Sequence, residues 1–373
     1  MPASVVLCMI VKDEAPVIER CLTSVREHID AWVVVDTGST DGTQELVRGV
    51  LADLPGELVE RPWKDFASNR NEALELAREY GAYSLMLDAD EELEVEEGFE
   101  WPPLTHDAYG LMHRMGRHSY WVMKLVSNRK PWRYVGVIHE YLECETAEKP
   151  ADLPGPTIIY NFDGARGRGI SIVEKNARDA ATLEAALHDD PENTRYQYYL
   201  GRAYRGAEQP ENAIEAFRRR AESGGGFDEE VYDSLNAIAE MQEGLGYPSE
   251  VIISAYLAAH ENRPTRAEPL CSLARYLRER ERYVLARLFA QRAAFIPMPM
   301  DNLLIDNDVY EWKAKDECAV AAYWTDDYAG AAAIWKDLLD QDRLPAEERP
   351  RVLANLDFAE AKLGVHNRPN TGL

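Results

Sequence analysis

Three short apolar runs near the N-terminus each stop at acidic residues, and this pattern restricts the chain more than its composition does. Ser4–Val11 runs into Lys12, Asp13 and Glu14, Ala31–Val35 into Asp36, and Tyr83–Leu87 into Asp88, Ala89 and Asp90. Continuous apolar runs rich in β-branched residues are expected of strands covered on both faces. Between the first two runs, Val17, Ile18, Cys21, Leu22 and Val25 fall at helical spacing, behind Asp13 in the N-cap place and Pro16 in the first turn. Gln44–Leu54 and Phe66–Tyr80 are likewise helical, and Glu57–Arg61 is a weaker strand. Strands alternating with helices predict a mostly parallel α/β sheet with right-handed crossovers. Ligands of such sheets collect beyond the carboxyl ends of the strands, so the acidic ends are expected to share one crevice.

The residues at those ends suggest what the crevice holds. Asp88 and Asp90, one residue apart at a strand mouth, can both face a divalent cation, which takes hard oxygen ligands; in isolation the same residues also suit a solvated acidic turn. The segment TGSTDGT after Asp36 has neither a P-loop nor a dinucleotide fingerprint, and its acidic residues would repel phosphate. Asp36 is suited to accept from a base imide or a ribose hydroxyl, while Ser39, Thr40 and Asp41 suit turn and cap roles equally well. Arg70, behind Trp63 and Phe66, is either a solvated helix residue or the positive charge a diphosphate needs.

Taken together, VVLCMIVKDEAPVIERCLTSV, VVVDTGSTDGT, WKDFASNRNEAL and LMLDADEEL resemble the nucleotide-sugar-binding half of a family 2 glycosyltransferase of the GT-A fold. The resemblance covers about residues 1–165 and implies a Rossmann-like catalytic domain there. By it, Val11 and Glu14 line the nucleoside pocket, Asp36 contacts the base, Arg70 reaches the base or the diphosphate, Asp88 lies near the ribose, and Asp90 ligates Mg²⁺ or Mn²⁺. Lys12 and Asp13 stand where many members carry Ser or Tyr followed by Asn.

Beyond the paired aspartates the chain reads as antiparallel, with strands expected over Ala108–Arg114, Tyr120–Val126 and Val137–Glu145. His139 and Glu140 are adjacent, and adjacent residues on a strand point to opposite faces, so both reach the crevice only if the backbone bends. The family resemblance implies that His139 joins the metal or diphosphate shell. An inverting reaction also requires a base for the acceptor proton; Glu140 is our assignment, with Glu91 and Glu92 as rivals. NFDGARGRG, residues 161–169, reads either as a flexible linker or as a lid whose Arg166 or Arg168 closes on the diphosphate.

From Ile170 onward helical periodicity replaces strand signals. Ile170–Pro191 reads as one amphipathic helix; Leu200, Gly201, Tyr204, Ala213 and Phe217 then take the small and large positions of a tetratricopeptide repeat. Weaker or stronger echoes follow at 231–259, at Leu273, Ala274, Leu277, Ala286 and Ala293, and at Ala321, Trp324 and Ala333, with Arg349–Leu363 as a closing helix. Residues 166–373 are therefore expected to be an all-α tetratricopeptide-like domain, with Tyr196, Tyr198, Tyr199, Trp312, Trp324 and Trp335 in its core. Such arrays hold extended peptides or other proteins, and the same surface could serve a homodimer. A GT-A domain joined to such helices resembles transferases that glycosylate ribosomal peptides, which makes a peptide, protein or glycan the expected acceptor.

A formal charge of −25 argues against nucleic acid as a partner. Five widely spaced cysteines suggest reduced thiols rather than a disulfide framework. With no signal-peptide pattern and no run of about 18 apolar residues, a cytoplasmic location is expected. Two rival readings use the same sheet: a nucleotidyltransferase, disfavoured by KDEAP where a phosphate loop belongs, and a repeat scaffold whose N-terminal domain has lost catalysis.

Overall fold

The computed structural model describes residues 4–116, 118–341 and 343–366. Contacts divide the chain into two compact units, residues 1–209 and 210–373. The sequence expectation of a domain change near residue 165 falls inside the first unit, which also carries the first two helices after that point.

In the first unit β1 (Val5–Val11) is followed by α1 (Ala15–Val25), β2 (Ala31–Asp36), α2 (Thr43–Val50), β3 (Gly56–Glu60), α3 (Phe66–Ala77) and β4 (Tyr83–Met86). After them come β5 (Glu91–Glu94), β6 (Ala108–Met115), β7 (His118–Ser127), β8 (Arg133–Val135), β9 (Tyr141–Glu143) and β10 (Ala151–Tyr160). Eight strands form one sheet in the order β3-β2-β1-β4-β7-β6-β10-β5. Its first half is parallel, with Cys8 opposite both Val33 and Met86; β7 runs antiparallel between β4 and β6, and β5 closes the edge antiparallel to β10. This is the α/β, mostly parallel GT-A-like sheet that the alternation predicts.

Side chains on β1 alternate between two cores, as strand geometry dictates. Val5, Leu7, Met9 and Val11 pack with Val17, Ile18 and Leu22 of α1 and Val47 of α2. Val6 and Cys8 pack on the opposite face with Ala73, Leu74 and Ala77 of α3. Each fully buried Leu or Val contributes about 1.5–3 kcal/mol, so both faces of the parallel half are held firmly beneath the strand ends.

Three local expectations are corrected. Glu14, not Asp13, occupies the N-cap position of helix α1, without a side-chain cap bond, because Asp13 takes a positive φ of 54° and turns its carboxylate to the neighbouring loop. The strand expected over residues 137–145 is instead a two-stranded hairpin of β8 and β9, broken where Gly136 (φ 116°) and His139 (φ 51°) leave the extended region. Neither β5 nor β10 was expected; β5 is short and acidic, and β10 contains two prolines and a glycine at φ 116°.

Helices α4 (Ile172–Asp189) and α5 (Thr194–Gly206) pack on each other within the first unit. Gly206 permits their approach, since a Cβ there would lie 2.5 Å from the Asn176 side chain.

The second unit is all helical: α6 (Pro210–Glu222), α7 (Asp228–Gly244), α8 (Ser249–Asn262), α9 (Glu268–Arg278), α10 (Tyr283–Ala294), α11 (Ala314–Tyr323), α12 (Tyr328–Asp340) and α13 (Arg349–His366). Consecutive helices pack on one another, with small residues such as Ala274, Ala286, Ala290, Ala319 and Ala332 fully or nearly fully buried between them. The tetratricopeptide-like character expected of the second half is thus present. Trp324 is a correction: it follows the end of α11 and is 56 % exposed, stacked on Tyr283, whereas Trp312 and Trp335 are buried. In the first unit, Tyr198 is buried and Tyr196 and Tyr199 are half-buried. Among the described residues, no helix is long and apolar enough to cross a membrane. All five cysteines are free, four of them buried and Cys144 half-buried.

Candidate active site

The carboxyl ends of β1, β2 and β4 lie side by side, since β1 pairs with both other strands in parallel. Two loops there are laced together. Glu14 N–H donates to Thr43 Oγ1 (2.8 Å), Asp13 N–H to Ser39 Oγ (2.9 Å) and Ala15 N–H to Asp41 Oδ2 (3.0 Å), while Asp13 Oδ1 accepts from Thr40 N–H (2.8 Å). Ser39, Thr40 and Asp41 therefore hold the loop in shape.

Asp36 organises the same loop from below. Its Oδ1 accepts from Gly38 N–H, Ser39 N–H and Gln44 Nε2, each at 2.9 Å. Burial acts to raise its pKa, but the hydrogen bonds from Ser39, Gln44 and Gly38 outweigh it and hold the group ionised. Asp36 has no exposed surface, and its Oδ2 has no hydrogen-bond partner among the described residues. A buried carboxylate oxygen left open costs stability unless a donor reaches it.

Above the strand ends is a cavity of about 1030 Å³, walled by Val11, Glu14, Arg70, Asp88, Asp90 and Glu140. Asp36 lies beneath rather than on this wall. Helix α3 delivers Arg70. Asp65 caps the helix by accepting from Ser68 N–H at 2.7 Å, a contact worth about 1 kcal/mol. Arg70 then sits over the Tyr134 ring at 5.3 Å, with Nη2 2.6 Å from Asp88 Oδ1 and Nε 2.9 Å from Glu140 Oε1. The bend at His139 is what lets both His139 and Glu140 line the cavity.

Asp90 has no arginine partner among the described residues, and Glu14 has only the 3.5 Å approach of Arg168. Asp90 Oδ2 accepts from Gly164 N–H at 3.3 Å, and Glu14 accepts from Ala165 N–H at 3.0 and 3.1 Å. Burial, then the charges of Asp88 and Glu91, push the Asp90 pKa up. Burial also raises Glu14, to about 7, with Asp90 and Asp88 adding to it and the Ala165 N–H and Arg168 opposing. Two carboxylates held above their ordinary range by burial and by neighbouring carboxylates form a place where a cation is favourable. Mg²⁺ characteristically binds through one or two carboxylates plus substrate phosphates, so this donor set fits Mg²⁺ or Mn²⁺. Among the described residues no group of three or more His, Cys, Asp or Glu is placed to hold a metal ion by itself.

Residues 161–169 run across this cavity. Arg168 Nη1 donates to Asp13 O at 3.0 Å and its Nη2 lies 3.5 Å from Glu14 Oε2; Arg166 pairs with Asp179 at 2.6 Å and lies over Phe66 at 4.9 Å. His139 is stacked on Tyr199 with centroids 4.2 Å apart, and its carbonyl accepts from Arg195 at 2.9 Å. Burial, reinforced by Arg202, Arg166, Arg195 and Lys175, lowers its pKa to about 3. The imidazole is therefore neutral and keeps the lone pair that a ligand to a metal needs. No hydrogen bond joins it to Asp88 or Asp90 among the described residues.

Glu91, named from sequence as a rival base, is sealed instead. Its side chain is 3 % exposed and is held by Lys124 Nζ at 2.7 Å to both oxygens and by His113 Nε2 at 3.0 Å. Burial opposes its ionisation, but Lys124 and His113 overcome this and keep its pKa low. Glu92 bonds Arg20 and Asn161, and it is absent from the cavity wall. Sequence reasoning missed Lys124 and His113. The available signal was a lone lysine inside the apolar strand YWVMKLV, which requires a buried partner.

The sequence pattern of glycosyl transferase family 2 matches residues 6–97, which span β1 to β5 and carry Glu14, Asp36, Arg70, Asp88 and Asp90. Residues 6–97 are a family 2 glycosyltransferase domain. A TPR repeat-containing protein of Synechococcus elongatus is 43% identical over 95 residues, 25% of this chain and 22% of that protein. The SPbeta prophage-derived glycosyltransferase SunS of Bacillus subtilis is 24% identical over 228 residues, 57% of this chain and 51% of that protein. The chain thus spans between about a fifth and a half of these curated relatives. Among solved structures, the C-terminal part of a TPR repeat-containing protein from Cytophaga hutchinsonii covers 53% of this chain and 71% of its own at 12% identity and a TM-score of 0.41. YrrB, described as a TPR protein with an unusual peptide-binding site, covers 50% and 85% at 15% identity and a TM-score of 0.36. Those scores are too low to argue from. The matched segment supplies the ends of β1, β2 and β4 at the cavity, and β7, the end of β10 at Tyr160, the hairpin β8–β9, residues 162–175 and Arg195 complete its wall.

Proposed function

We propose that this chain is a metal-dependent, inverting glycosyltransferase that moves a sugar from a nucleotide sugar, UDP-linked in the first instance, to a peptide, protein or glycan acceptor. The observation that carries the reading is the meeting, at the strand ends of a family 2 segment, of a cavity carboxylate with no cationic partner among the described residues (Asp90) and one that Arg168 approaches only to 3.5 Å (Glu14) with carboxylates clamped by Arg70 (Asp88, Glu140). Asp90 would hold Mg²⁺ or Mn²⁺, with Asp88 or His139 as further ligands of this chain. A bound divalent ion supplies charge neutralisation for the departing diphosphate.

The chain's own groups do the rest. The open Oδ2 of Asp36 lies beneath the wall, so its assigned contact with the base or ribose requires the loop above it to open, and Val11 lines the nucleoside side. Arg70, Arg166 and Arg168 contribute positive charge toward the diphosphate. Glu140, held in place by Arg70, accepts the proton of the acceptor nucleophile. Residues 1–165 are read as the catalytic domain and 166–373 as the helical region that presents the acceptor or pairs two copies, in a cytoplasmic setting.

The test is a donor panel of UDP-, GDP- and TDP-sugars with Mn²⁺ or chelator, read by thermal stabilisation and by sugar release. A cognate donor at one hundred times its Kd adds about 2.7 kcal/mol to stability. That gain is expected to need the metal and to disappear in Asp90→Ala, while Glu140→Gln keeps donor binding and loses turnover. If no donor stabilises the wild type, the enzymatic reading fails and the scaffold reading replaces it.

A further inference from the structure

Glu91 closes the turn that carries both aspartates. Its backbone N–H donates to Asp88 O at 3.0 Å, and its own side-chain Oε2 accepts from Asp88 N–H at 2.9 Å. The segment from Asp88 to Glu91 is therefore tied at both ends to itself, once through backbone and once through a carboxylate. That carboxylate is in turn fixed from two neighbouring strands. Lys124 on β7 reaches both oxygens at 2.7 Å, and His113 on β6 reaches Oε1 at 3.0 Å. Since Leu125 pairs with Leu85 across β7 and β4, Lys124 stands beside the last residues of β4, directly before the turn.

The consequence falls on Asp88 and Asp90 differently. Asp88 is gripped twice, at its carboxylate by Arg70 and at its N–H by Glu91. Asp90 is held through its carbonyl, which accepts from Asn161 N–H at 3.1 Å, but its carboxylate has only the Gly164 N–H at 3.3 Å, so the direction of that carboxylate depends on the shape of the turn. Freed from Lys124, the Glu91 side chain would no longer hold the Asp88 N–H, and the spacing between the two aspartate carboxylates would relax.

We infer that Lys124 and His113 are positioning residues that act through Glu91 to hold Asp88 and Asp90 at the separation a metal-bound diphosphate requires. The inference rests on the reading of this cavity as a metal and nucleotide-sugar site, and it assigns work to two strands outside the matched family 2 segment. A purely structural pair behaves differently, because exchanging a buried ion pair for well-packed apolar residues is often neutral or stabilising. Retained stability with lost binding therefore separates positioning from scaffolding.

The experiment compares the wild type with two double variants, using Mn²⁺ and UDP as probes in calorimetric titration, and free Mn²⁺ by electron paramagnetic resonance. Glu91→Met/Lys124→Met removes both charges together and deletes the acceptor for the Asp88 N–H. It should melt within a few degrees of wild type and bind Mn²⁺ and UDP at least tenfold more weakly. Glu91→Gln/Lys124→Met keeps an amide oxygen able to accept that N–H, and it should retain affinity within about threefold. Wild-type affinity in the Met/Met variant overturns the inference. If that variant does not fold, His113→Phe removes one anchor of Glu91; a threefold or greater rise in Kd supports the assignment and an unchanged Kd overturns it. Failure of the wild type itself to bind Mn²⁺ and UDP would instead sink the donor-site reading, so the two failures are distinguishable.

Discussion

Each unit of the molecule contains an arginine surrounded by carboxylates and an aromatic ring, and the one in the sheet unit lines the large cavity while the one in the helical unit is buried. In the helical unit Arg266 is 2 % exposed, bonds Glu268 at 2.7 to 3.1 Å, reaches Asp301 at 3.3 Å and donates to the carbonyls of Leu303 and Leu304 at 2.9 Å each. Tyr310 completes Glu268 at 2.6 Å and Tyr232 lies 4.5 Å from the guanidinium. In the sheet unit Arg70 has two carboxylates and Tyr134, and the cavity lies on its free side. The chemical ingredients match, yet the first cluster is saturated and the second has acceptor capacity left over. Buried charge alone does not mark a site; unspent hydrogen-bonding capacity beside open volume does.

The largest effect expected from this contrast is on stability. Arg266→Met leaves Glu268 buried without its cation, while Asp301 keeps Arg263 at 2.5 Å, and removal of one partner from such a network costs about 3–5 kcal/mol. Arg70→Met should cost about 2 kcal/mol, because Asp88 is 36 % exposed and Glu140, although 10 % exposed, lines the cavity, so both regain water. Its main loss should be donor binding, where Arg266→Met binds normally below its melting point. Urea unfolding followed by circular dichroism, with donor titration at low temperature, checks both. Equal destabilisation with donor binding retained in both variants would break the comparison.

Much of the active-site side of this contrast was legible in sequence. The apolar runs and their acidic ends placed Glu14, Asp36, Asp88 and Asp90 at adjoining strand ends, because parallel strands joined by right-handed crossovers leave few alternatives. The bend needed for His139 and Glu140 to share the cavity followed from strand geometry, and Gly136 with His139 provides it. What sequence did not disclose depends on contacts distant along the chain. Arg70 meets Glu140 from seventy positions away, Glu91 meets Lys124 across thirty-three, and Gly164 meets Asp90 across seventy-four. No periodicity encodes such pairs. Trp324 was misplaced in the core because its offset suits a repeat, while its position just past the end of α11 turns it outward.

Gly164 offers a finer probe of the cavity side. Its backbone (φ −64°, ψ 159°) is open to any residue, so Gly164→Ala introduces no backbone strain. The added Cβ would nevertheless lie 2.8 Å from Asp90 Oδ2. The loop or the carboxylate must shift, and Mn²⁺ with UDP should bind about tenfold more weakly, a change of about 1.4 kcal/mol. The melting temperature should move by only a degree or two. Gly167→Ala, which meets nothing within 4 Å, is the matched control. Equal affinity in both variants would show that the segment does not sit against Asp90 in solution.

The smallest effect, and the one that sharpens the contrast furthest, is in pH. Glu14 lies at about 7 in the folded protein against an ordinary carboxylate value near 4.5, so the folded state binds more protons than the unfolded chain between those values. Its contribution is present below the unfolded pKa and is lost as pH rises through 7. Asp301 in the helical unit carries the opposite sign: burial acts to raise its pKa, but Arg263 and Arg266 prevail and lower it, so its contribution is lost only in acid. Metal-free protein should therefore melt at a falling temperature from pH 5 to 7.5, and Glu14→Gln should flatten that slope. Asp301→Asn should leave the slope unchanged and weaken the protein throughout the neutral range. Mn²⁺ with UDP should also flatten it, because a cation beside Glu14 favours the ionised form that burial opposes. A slope unaltered by Glu14→Gln would assign the neutral titration elsewhere and remove the physical distinction between the open carboxylates of the strand ends and the closed ones among the helices.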